Sequence, residues 1–85
     1  MMIKEELMEA LEEHECLIAD GFDDALIGIT MAGEIIAVYS YRKCLEVLMR
    51  DMSEEDAIEF FDYNVLGAYV GEKTPIFIDA IELSH

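Results

Sequence analysis

The stretch MSEEDAIEFFDYNVLGAYVGEKTPIFIDAI, Met52 to Ile81, decides the fold because it holds a helix with defined ends and the strand that closes the chain. Ser53 is placed to cap that helix. Its hydroxyl accepts a bond from a free amide of the first turn, and Glu54, Glu55 and Asp56 stand where the helix dipole favours negative charge. At about 100° per residue, Ile58, Phe61, Val65, Ala68 and Tyr69 share one side, the spacing of a core-facing stripe. Gly71 is expected as the left-handed residue after the helix, and Pro75 leads a strand over Thr74 to Ile81.

The same helix carries a second apolar row, Phe60, Tyr63, Leu66 and Val70, with Gly67 beside it. Two apolar sides require two covers. Either sheet and helix of the same chain cover both, or the second row meets another copy or a partner, as exposed apolar patches of a few hundred Å² tend to do.

The run MSEEDAIEFFDYNVLGAYVGEKTPIF resembles an uncharacterised family of small acidic proteins encoded by tailed bacteriophages and prophages, in which an acidic helix runs into NVLGAYVGE and a proline-led strand. The likeness extends more loosely through ADGFDDALIGI and AVYSYRKCLEVLMR, covering most of residues 19 to 78. It implies an origin, a phage accessory protein working in the host bacterial cytoplasm, and carries no activity with it.

Eighty-five residues make a single domain, 1–85, and so short a chain hides only about 60 to 65% of its unfolded surface. Hydrophobic residues make up 54% alongside a net charge of −15, which excludes the disordered class and requires charge and apolar surface to lie on different faces. With 20 Asp and Glu against 5 Lys and Arg, attraction to nucleic acid or an anionic membrane is disfavoured; a basic partner or a cation is the electrostatic match. Cys16 and Cys44 form no CxxC pair and no secretory prefix precedes them, so reduced cytosolic thiols are expected. The apolar run Ala25 to Tyr41 barely reaches spanning length and has Glu34 near its centre, where an acid costs roughly 2.5 to 3.5 kcal/mol in a bilayer; a hairpin accounts for it better.

Residues 2 to 15 read as an amphipathic helix. Ile3, Leu7, Ala10, Leu11 and His14 lie on one side, and Glu5, Glu6, Glu9, Glu12 and Glu13 form an acidic arc on the other. Glu5 and Glu9 repel at i,i+4 by a few tenths of a kcal/mol, a cost with no structural return. His14 is expected half-buried at the edge of the core. Together with Cys16 it makes an HxC pair with no further ligand at zinc spacing, and the sequence points to no metal and no cofactor. Asp20, Gly21, Phe22, Asp23 and Asp24 form a turn-rich solvated loop whose spacing is not that of a calcium loop.

Ala25 to Met31 and Ile35 to Ser40 read as a hairpin turning at Ala32, Gly33 and Glu34. Both strands are apolar almost throughout, which calls for cover on both faces, more than one layer of helices supplies. Ser40 caps a third helix, Tyr41 to Asp51, with Tyr41, Leu45, Leu48, Met49 and Met52 inward and a Glu46–Arg50 pair outside. Its Arg42, Lys43 and Arg50 make a solvated basic face. The expected fold is therefore α+β, a small three-stranded antiparallel sheet packed by helices in the order αββααβ.

None of the signatures of phosphate-binding loops, dinucleotide folds, nucleophile elbows or zinc hydrolases occurs, so the expectation is a non-catalytic binding protein. Five glutamates over Glu5 to Glu13 rise about 12 Å, a linear charge density comparable to one DNA strand at one charge per about 3.4 Å. Asp51, Glu54, Glu55, Asp56, Glu59 and Asp62 extend the set. Two functions follow. One is an acidic surface made of Glu5, Glu6, Glu9, Glu12 and Glu13 that inhibits a host nucleic-acid-handling or defence protein, of anti-restriction or anti-CRISPR type. The other is a homodimeric structural or regulatory module using the apolar row Phe60, Tyr63, Leu66 and Val70, without mimicry. Neither involves direct contact with nucleic acid or a membrane.

Overall fold

The computed structural model describes residues 3–68, 71 and 73–80. Helix α1 (Lys4–Glu13) leads into a 3₁₀ turn (Asp23–Ala25), then strands β1 (Leu26–Ile29) and β2 (Ala37–Ser40). Helix α2 (Tyr41–Leu48), helix α3 (Glu54–Phe60) with a π-helical continuation (Phe61–Leu66), and strand β3 (Ile76–Ile78) complete the chain. The α+β class and the element order αββααβ are as the sequence indicates. The two serine caps form as well: Ser40 Oγ accepts from the amide of Lys43 and Ser53 Oγ from that of Asp56, both at 3.2 Å.

The sheet differs from expectation in one respect. Its order is β1-β2-β3; β1 and β2 form the antiparallel hairpin, but β3 runs parallel to β2, pairing Val38, Tyr39 and Ser40 with Ile76, Phe77 and Ile78. The sheet is mixed. Residues 41–75 contain two helices, enough chain to return to the starting end of the sheet, whereas antiparallel neighbours need only a short turn. Among the described residues β3 is shorter than the predicted Thr74–Ile81, and Ile81 lies outside them.

One sheet face holds the core. Leu26, Tyr39 and Phe77 pack there with Leu7, Leu11, Phe22, Ala37, Cys44, Phe61 and Val65. Phe61 is the hub, with ring centroids 5.0 Å from Tyr41, 5.1 Å from Phe77 and 6.4 Å from Phe22. Tyr39 is buried, stacks on Phe77, and its hydroxyl accepts from the amide of Ala19 at 3.0 Å, tying the segment after α1 to the central strand. Without that bond the buried amide of Ala19 would lose a partner worth about 1–3 kcal/mol.

The π-helical turn reorganises the helix that anchored the sequence reading. Ala57, Phe61 and Val65 are the buried line, while Ile58, assigned to the stripe, is 37% exposed and Ala68 is exposed. A spacing of four drifts around an α-helix by about 40° each step. Closing hydrogen bonds at i→i+5 lowers the rotation to about 80° per residue, so the next step of four drifts back by about 40° and returns Val65 to the side of Ala57. Of the second row, Phe60 (40%), Tyr63 (78%) and Leu66 (47%) are all exposed. Val70 and Tyr69 lie outside the described residues. Gly71 does take the left-handed conformation, φ 99°, but the helix ends earlier, with Gly67 as its cap.

Smaller corrections share one cause, that periodicity locates a face but not its centre. In α2 the fully buried residue is Cys44, while Met49 is 41% exposed. In α1, Leu7 and Leu11 are buried, but Ile3 and His14 are exposed because the helix begins at Lys4 and ends at Glu13 rather than covering 2–15.

Candidate functional site

Helix α1 leans on β1 through Leu7 and Leu11, which turns its other side outward. Glu5, Glu6, Glu9, Glu12 and Glu13 are all exposed. Glu6 also accepts a bond from the amide of Ile3, closing the first turn. Between α1 and the 3₁₀ turn runs an open groove of about 540 Å³ lined by Lys4, Glu5, Met8, Glu9, Glu12, Asp23 and Asp24. Two acidic segments that the sequence separates, the α1 arc and the Asp20–Asp24 loop, therefore form the walls of one depression.

Asp24 organises this surface. Its carboxylate lies 3.5 Å from Lys4 Nζ of α1 and 3.2 Å from Arg50 Nη2 just beyond α2. The predicted partner of Arg50 was Glu46; the tertiary packing of α2 against the 3₁₀ turn brings Asp24 to it instead. Glu54, Glu55 and Asp56 are exposed in the first turn of α3. Among the described residues, Lys4 and Arg50 pair with Asp24, Arg42 with Asp79 at 3.4 Å, and Lys73 donates to the carbonyl of His14 at 2.7 Å.

The Arg50 hydrogen bond, helped by Lys4, holds the Asp24 carboxyl below its ordinary value of 3.8. The contribution of these pairs is present above the unfolded-state value and is lost as pH falls through the lowered folded one. In an NMR titration Asp24 should protonate below pH 3.8, and Arg50→Ala should raise its midpoint; a midpoint unmoved by that substitution would mean the pair does not form in solution.

The cysteines are free thiols. Cys44 is buried under α2, and burial pushes its thiol up to about 12, so it carries no nucleophilic thiolate near neutral pH. Cys16 is half-buried and its thiol donates to the carbonyl of Ile35. His14 sits by a hollow of about 250 Å³ formed with Gly33, Glu34, Ile35 and Lys73. Among the described residues no three His, Cys, Asp or Glu side chains are grouped to hold a metal, and no helix is long and apolar enough to cross a membrane.

Of the predicted acidic residues, Glu5, Glu9 and Glu12 line the groove together with Asp23 and Asp24 of the acidic loop, and Glu6 and Glu13 are exposed outside it. The nearness of Asp23 and Asp24 to α1 depends on how the 3₁₀ turn packs, which no local signal carries. Of the predicted apolar row, Phe60, Tyr63 and Leu66 are exposed, and Val70 lies outside the described residues. No family model, curated protein or solved structure matches the chain.

Proposed function

We propose that the protein works by non-catalytic binding, presenting its acidic helix layer to the basic, nucleic-acid-binding surface of another protein and so inhibiting it. The observation that carries this reading is the groove in which Glu5, Glu9 and Glu12 of α1 face Asp23 and Asp24. Its carboxylates are exposed, and Lys4, the cation that lines it, is paired with Asp24. A surface of this kind repels nucleic acid and attracts the Lys- and Arg-rich channel that nucleic acid would occupy. Repulsion along α1, which costs the helix stability, is explained if charge itself is the useful property.

On the resemblance of residues 19–78 to small phage proteins, the binding is proposed to act in an infected bacterial cytoplasm, with a host nuclease or defence protein as target. A second reading, a homodimeric module using the apolar row, is supported by the exposure of Phe60, Tyr63 and Leu66.

The test is capture of partners from host lysate on immobilised protein at about 0.1 M and about 0.5 M salt, over which the Debye length falls from about 10 Å to about 4 Å. A nucleic-acid-binding protein retained at the lower concentration and released at the higher is the expected result. A partner held equally at both would mean apolar docking and would overturn the acidic reading.

A further inference from the structure

We draw no further inference here: the strongest candidate, the acidic groove between α1 and the 3₁₀ turn, belongs to the site already described, and nothing in the structure beyond its carboxylates points to a second ligand.

Discussion

Replacing Phe61 by alanine should destabilise the fold by about 3–5 kcal/mol, the range for removing a large buried aromatic side chain. Phe61 is fully buried and its ring meets those of Phe22, Tyr41 and Phe77, so it joins the segment before β1, the start of α2 and strand β3 to the π-helical turn. A domain of this size has a total stability of about 4–13 kcal/mol at 0.05–0.15 kcal/mol per residue. The loss is therefore a large share of the whole, and the variant should be partly unfolded without denaturant if the parent lies at the low end. Tyr63, two residues on and 78% exposed, provides the control: Tyr63→Ala should fall within about 0.5 kcal/mol. Urea unfolding of the three proteins reads the difference directly. A larger cost at Tyr63 than at Phe61 would mean that the helix is turned differently about its axis and that the core line Ala57–Phe61–Val65 is misassigned.

The double reversal Glu9→Lys and Glu13→Lys is expected to move stability and binding in opposite directions. Both side chains are exposed on α1, and Glu9 lines the groove against Asp23 and Asp24. Each reversal adds two positive charges, so the net charge goes from −15 to −11. Within the helix, repulsion between Glu5 and Glu9 becomes attraction, and a cation at position 13 suits the C-terminal end of the dipole. The folded state should thus be as stable as before or more so, by a few tenths of a kcal/mol. Capture of a basic partner should fall by about tenfold or more, since favourable charges are replaced by repulsive ones. A merely solubilising acidic face would leave capture unchanged, and that outcome would remove the basis of the proposed function.

The two substitutions separate two kinds of information in the chain. Features that depend on neighbours within a turn were legible: the caps at Ser40 and Ser53, the hairpin turning at residues 32–34, the acidic side of α1 and the order of elements. Each arises from hydrogen bonds or side-chain periodicity over three or four positions, and the sequence prints that spacing. The exposed glutamates were legible for the same reason, because a carboxylate that is buried without a partner is rarely tolerated.

What only the tertiary structure decided involves residues far apart in the chain. The direction of β3 depends on where residues 41–75 deliver it, not on the sequence of the strand. Cys44 lies at the buried centre of α2 because of what the 3₁₀ turn and sheet place against it. Arg50 meets Asp24 across 26 positions rather than Glu46 across four, and Asp24 also lines the acidic groove. The π-helical turn settled which aromatic residues of the Ser53 helix entered the core. Phe60, Phe61 and Tyr63 are alike in composition, and wedging Phe61 among three rings selects between them through packing that extends across the whole fold.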